Sequence, residues 1–205
     1  MNNLDKLIKH FEDFPGIGGR QARRFAFHIL TLDQRDTQEI ADLILNLKDF
    51  VVECQSCHRF FSKNGGLATL CAICSDHNRD RTKLMIVERD SDIIAIERSN
   101  VYDGLYFVLG GTIPLFNSKE NTSLRSGALK ATVETRLTEG LSELILAFAV
   151  NPDGENTGRY VESFLKDYIE KNKISVSQLG RGLSTGSELE YADPETIKNA
   201  LLNRH

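Results

Sequence analysis

Cys54-Gln-Ser-Cys57 and Cys71-Ala-Ile-Cys74 are two CxxC pairs separated by thirteen residues, and they hold all 4 cysteines of the chain. Each pair can present two thiolates to one ion, and together they complete a tetrahedral four-sulfur site suited to Zn²⁺. The gap is slightly shorter than is usual for paired knuckles, and Gly65-Gly66 supplies a turn within it. Four thiolates leave no open coordination position, so one such ion is structural and not catalytic. Two redox pairs or four buried thiols are the competing readings. His58 and His77 lie close by and read as bystanders.

A second pattern, Phe14-Pro-Gly16-Ile-Gly18-Gly-Arg20-Gln-Ala22-Arg23-Arg24-Phe25-Ala26, joins two helical stretches by a glycine-rich hairpin. Gly16 and Gly18 let the backbone turn and approach another molecule with no Cβ in the way. The helix that follows points its amides and positive dipole end outward, which suits phosphate. At about 100° per residue, Ala22, Phe25, Ala26 and Ile29 share one face and Arg20, Arg23 and Arg24 share the other. Such groups hold a nucleic-acid backbone without reading its sequence. A plain helical hairpin with a solvated arginine face is the alternative. Phe27 falls on the arginine face, where it meets either another subunit or the third helix.

The third set is acidic. Glu88 ends the run LMIVE, and Asn151, Asp153 and Glu155 follow the run LILAFAV. Groups at the C-terminal ends of parallel strands converge in a crevice, where carboxylates can hold Mg²⁺ for phosphoryl chemistry. Asn151 stands where a charged ligand would be wanted. No catalytic triad is legible, and the absence of a G-x-x-x-x-G-K-[ST] loop speaks against an autonomous ATPase. The stretch GRGLSTG (180–186) is either a ligand loop or a simple surface loop.

These residues need elements to position them. Apolar spacing at i, i+3, i+4 and i+7 predicts three helices within residues 2–50, the third carrying Ile40, Leu43, Ile44, Leu47 and Val51 and capped at Asp36 with Glu39. Residues 53–83 have few large apolar side chains. Beyond them, the runs 84–87, 105–109, 144–150 and 174–179 alternate with helices near 91–98, 124–139, 158–172 and 194–203, the last opened by Asp193-Pro194. Strand–helix alternation predicts a mostly parallel α/β sheet.

The 205 residues are 40% hydrophobic and 26% charged with net charge −4, which excludes wholesale disorder and a histone-like basic coat. No run approaches the roughly 18 apolar residues of a membrane helix, and no signal-peptide core opens the chain. The expected location is the cytoplasm, where clustered cysteines favour metal over disulfides. Residues 51–83 are the one net-basic stretch, with 5 basic and 3 acidic side chains. A nucleic-acid surface must therefore come from placement and not from composition.

FPGIGGRQARRFAFHIL (14–30), CQSC…CAIC (54–74), RDRTKLMIVERDSDIIAIERS (79–99), GLYFVLGG (104–111) and RGLSTGSELEYAD (181–193), in this order, resemble the bacterial recombination mediator protein RecR family over essentially the whole chain. The resemblance implies an α+β chain of four parts. These are a helix–hairpin–helix DNA-binding domain (1–52), a four-cysteine zinc finger (53–78), an α/β Toprim domain (79–173) and a C-terminal strand–helix region for oligomerisation (174–205). It implies a non-enzymatic, nucleoid-associated repair factor that forms homodimers or homotetramers as rings or clamps. Such a factor acts with RecO and RecF to help RecA load onto SSB-coated single strands at gaps. By motif match, Arg20 and Arg24 fall at the family's DNA-contacting positions, and Glu88, Asp153 and Glu155 on its acidic partner surface.

Two stretches depart from the family pattern. TIPLFNSKENTSLRSG (112–127) replaces a Gly- and Pro-containing loop, and NPDGENTG (151–158) is shorter than the usual Asn-Pro-Thr-x-Glu-Gly run; both lie beside the partner surface. The competing function is a Toprim-type Mg²⁺-dependent nuclease or strand-passage enzyme using Glu88 and Asp153. Toprim catalysis wants a Glu with an Asp-x-Asp pair, and here Asn151-x-Asp153 stands instead.

Overall fold

The computed structural model describes residues 1–63, 68–115, 124–180, 182, 183, 186 and 188–202. They fall into two units, Met1–Val51 and Val52–His205. Gly65-Gly66 and part of the 180–186 loop lie outside the described residues.

The first unit holds the three expected helices, α1 (Asn3–Glu12), α2 (Gly19–Ile29) and α3 (Gln34–Phe50). Asn2 caps α1 by accepting the Asp5 amide at 2.8 Å while Asp5 accepts the Asn2 amide, so two orphan donors are satisfied reciprocally. The cap of α3 is Asp33, not Asp36: Asp33 Oδ1 accepts the Asp36 amide at 2.8 Å, leaving Asp36 as a first-turn acid. α1 and α2 pack together. Ala22 and Ala26 are fully buried, and the Phe25 ring stands edge-on to Phe11 at 5.9 Å. On α3 the apolar stripe forms at the expected spacing, yet Ile40, Leu43, Ile44 and Leu47 are all exposed in the single chain.

The second unit opens with β1 (Val51–Glu53) and β2 (Phe60–Ser62), paired as a two-stranded sheet, and α4 (Ala72–Ser75). Then follow β3 (Asp80–Val87), α5 (Asp90–Ser99), β4 (Gly104–Val108), α6 (Ser126–Leu137), β5 (Glu143–Ala147), α7 (Pro152–Phe164), α8 (Lys166–Asn172), β6 (Ser175–Gln178) and α9 (Pro194–Leu202). The sheet order is β4-β3-β5-β6 and every pairing is parallel, with Ile86 opposite both Phe107 and Leu146, and Leu146 opposite Gln178. Covered on both faces, central strands of such a sheet are near-continuously apolar. Leu84, Ile86, Leu105, Phe107 and Leu144 are accordingly buried, each contributing about 1.5–3 kcal/mol.

Two expectations change here. The run 174–179 holds β6 of the parallel sheet, as the strand–helix alternation predicts, so the boundary at 174 that the family resemblance implied cuts off a strand paired with β5. The helix expected at 158–172 is two helices, and the first begins at Pro152, because Asn151 caps it by accepting the Gly154 amide at 2.8 Å and Pro152 fits the first helical position. At α9 the expected cap stands, with Asp193 Oδ1 accepting the Thr196 amide at 2.9 Å. Among the described residues, no helix is long and apolar enough to cross a membrane.

Candidate nucleic-acid interface and metal centre

The hairpin between α1 and α2 is built by local rules. Gly16 has φ +77°, a left-handed conformation that disfavours any side chain, and the Ile17 amide closes the turn on Phe14 O at 3.0 Å. Gly18 is different from the expectation. Its φ is −87° and a Cβ there would meet nothing within 4 Å of this chain, so the turn itself demands no glycine; at Gly19 a Cβ would meet only the flexible carboxylate end of exposed Glu12, at 2.8 Å. α2 starts at Gly18 with no side-chain cap, so its first-turn amides are left without one, beside Arg20.

Arg20, Arg23 and Arg24 are exposed, opposite the buried Ala22 and Ala26. They make no ion pair with any described residue. α2 carries no acidic residue at all. Three unneutralised guanidiniums on one helix face hold a positive potential that can bind anions in a row. Gln21, His28 and Thr31, which helical spacing alone does not single out, line the same open concavity of about 830 Å³.

The four cysteine sulfurs lie within 4.8 Å of one another and all four residues are buried. Cys57 Sγ and Cys71 Sγ are 3.6 Å apart. A Zn–S bond of about 2.3 Å sets tetrahedral sulfur–sulfur edges of roughly 3.8 Å, so the spacing fits such an ion. The first knuckle turns through the His58 amide on Cys54 O at 3.0 Å, and the second cysteine pair is presented by α4, which Cys71 caps. Hydrogen bonds from Cys57, then Cys71 and Cys74, hold the Cys54 thiol well below the ordinary range. Hydrogen bonding with Cys54 first, and burial after it, pushes Cys57 and Cys74 up. Cysteine binds metal as the thiolate, so an ion held here would displace the thiol protons. Together these four residues can hold a metal ion. His58 is engaged elsewhere, its Nδ1 2.6 Å from Glu53 Oε1.

The knuckle does not stand alone. Its cysteines and Ile73 join the core of the α/β unit. The Val108 amide at the end of β4 donates to Cys57 O at 2.8 Å, Arg136 Nη2 on α6 donates to Ser56 Oγ at 2.6 Å, and the Phe60 amide donates to Asp90 Oδ1 at 2.6 Å. No local pattern announces these anchors; Arg136 and Ser56 are 80 residues apart.

The acidic residues do not form a cluster within reach of one ion among the described residues. Among the described residues, the cysteines form the one cluster of three or more His, Cys, Asp or Glu donors within reach of an ion. Glu88 pairs with Arg89 at 2.6 Å. Asp153 Oδ1 accepts the Leu115 amide at 2.9 Å, and Glu155 lies 3.6 Å from Arg159 on the same helix. Asp153 and Glu155 are first-turn acids of α7, favourable toward its dipole, and Asn151 is spent on the cap. Within the departing stretch 112–127, Ile113–Leu115 is pinned to α7, the Ile113 amide donating to Thr157 Oγ1 at 2.8 Å; residues 116–123 lie outside the described residues.

Comparison with known proteins follows this division of the chain. Residues 4–48 match the family model "RecR, helix-hairpin-helix", residues 82–180 match "Toprim domain", and residues 182–205 match "RecR, C-terminal". A protein named Recombination protein RecR from Staphylococcus saprophyticus subsp. saprophyticus is 34% identical over 201 residues, 98% of this chain and 96% of its own. Its namesake from Staphylococcus aureus (strain JH9) is 35% identical over the same shares. A recombination-protein family, a helix–hairpin–helix unit, a cysteine cluster and a parallel Toprim sheet thus coincide in one sequence order, and the chain belongs to the RecR family of recombination proteins.

Proposed function

We propose that this protein is a non-enzymatic DNA-binding mediator of recombinational repair, a clamp-like scaffold that works with RecO and RecF so that RecA loads on SSB-coated single-stranded gaps. The observation that carries it is the coincidence of three exposed arginines, unpaired among the described residues, with the glycine hairpin before α2. Gly16, Gly18, Arg20, Arg23 and Arg24 grip phosphates independently of sequence. Cys54, Cys57, Cys71 and Cys74 hold one structural Zn²⁺ that fixes residues 53–78. Glu88, Asp153 and Glu155 offer partners an acidic surface, and the protein works at the nucleoid in the cytoplasm.

The reading without turnover draws support from how this set is engaged: the Asn151 carboxamide, where a charged ligand would be wanted, caps α7, and the Asp153 carboxylate accepts the Leu115 amide. On gapped plasmid with Mg²⁺, the protein is expected to retard the DNA and leave it uncut. Nicking at protein concentrations that saturate binding would replace the scaffold with a Toprim nuclease.

The scaffold is a homodimer or homotetramer. Ile40, Leu43, Ile44 and Leu47 leave a contiguous apolar stripe on α3 in water, a surface monomers seldom leave open. Light scattering at micromolar concentration is expected to give a mass of two or four chains; a strictly monomeric mass contradicts it.

A further inference from the structure

Phe27 is 55% exposed, although aromatic rings are usually largely buried. Its surroundings on α2 are cationic. Arg23 and Arg24 precede it by one helical turn, Thr31 follows by one, and Arg20, His28 and Phe27 line the same open concavity. Helical side chains lean toward the helix N-terminus, so the ring covers the turn that carries Arg23 and Arg24. Phe25, by contrast, is engaged edge-on with Phe11.

An aromatic face set among backbone-binding cations is the recurring platform for unpaired bases, because every base has a π-face while duplex bases are already stacked. We propose that Phe27 stacks on an unpaired base and gives the α2 surface its preference for single-stranded and gapped DNA over blunt duplex. The inference rests on the reading of α2 as the DNA surface and names the DNA structure it selects. Charge favours nucleic acid over a second copy of the chain as the occupant. Burying Phe27 in a subunit contact would desolvate three guanidiniums that have no acid on their own helix, whereas a strand brings one phosphate per nucleotide alongside each stacked base.

The test uses the full chain, which contains no tryptophan, so Phe27→Trp installs a single indole that can be excited selectively at wavelengths the 5 tyrosines barely absorb. Titration with oligo(dT) is expected to quench Phe27→Trp, and blunt duplex is not. Phe27→Ala and Phe27→Leu are expected to lose roughly tenfold in affinity for oligo(dT) and gapped duplex, with blunt-duplex affinity and oligomeric mass unchanged. If wild type and both variants bind all three DNAs alike, Phe27 does not select structure, and α2 remains the DNA surface. If Phe27→Ala changes the mass in light scattering while Phe27→Leu keeps both mass and affinity, Phe27 is a subunit contact and the inference is overturned. If wild type binds no DNA at all, the reading beneath it falls as well.

Discussion

A Cys71→Ser variant is expected to lose its zinc, from one ion per chain to a small fraction of that, and to unfold at a temperature on the order of 10 °C lower. Structural zinc contributes folding energy directly, because the site does not exist in the unfolded chain. Here the loss spreads beyond residues 53–78. Cys57 O accepts the Val108 amide, and Ser56 bonds buried Arg136, so a loosened knuckle releases the end of β4 and leaves a guanidinium on α6 without that partner. Arg136 keeps its ion pair with Glu139, so losing the Ser56 hydroxyl costs about 1.5–3 kcal/mol on top of the lost metal energy, and each kcal/mol lowers the midpoint by roughly 2–4 °C in a chain of this size. Amide exchange at Val108 should accelerate, while α1 and α2, which pack on each other within the other unit, keep their protection. Zinc analysis, thermal melts and amide exchange check it. Wild-type protein without zinc would show that the cysteines are merely buried thiols, and a variant that retains the ion and its midpoint would contradict a four-cysteine site.

Features governed by neighbours in sequence are legible from spacing alone. The opposition of Ala22 and Ala26 to Arg20, Arg23 and Arg24 needs only helical periodicity, and four apolar runs suffice for four parallel strands. What escapes is of two kinds. Some local signals are masked by competing ones: Gly154 and Gly158 lower helix propensity and hide the start of α7. Yet a Cβ at Gly154 would stand 2.0 Å from Ala149 O, so that glycine serves a close backbone approach inside a helix. Likewise, the stripe beginning at Ile40 draws the α3 cap to Asp36, one turn past Asp33. Long-range contacts have no signal at all. Neither the bond from Arg136 to Ser56 nor that from Leu115 to Asp153 follows from spacing.

The central claim concerns α2. If α2 is the DNA surface as proposed, replacing Arg20 and Arg24 with Ala is expected to remove two charge-assisted phosphate contacts worth roughly 1.5 kcal/mol or more each, about a hundredfold in affinity together at low salt. The loss should be nearly equal across sequences, since phosphate contacts carry no base code. Several subunits on one DNA molecule would enlarge it through avidity. Folding should persist, because Ala22 and Ala26 make the buried face and neither arginine has a partner among the described residues. Each lost contact also withholds about 0.9 of a released counterion on duplex, so the slope of log affinity against log salt flattens by about two units. The decisive measurement is a salt series of binding isotherms on gapped and duplex DNA for wild type and the Arg20→Ala/Arg24→Ala double variant, with circular dichroism on the same samples. A folded variant with weakened binding and a flattened slope is the predicted result; a folded variant with wild-type affinity and slope would place the DNA site elsewhere.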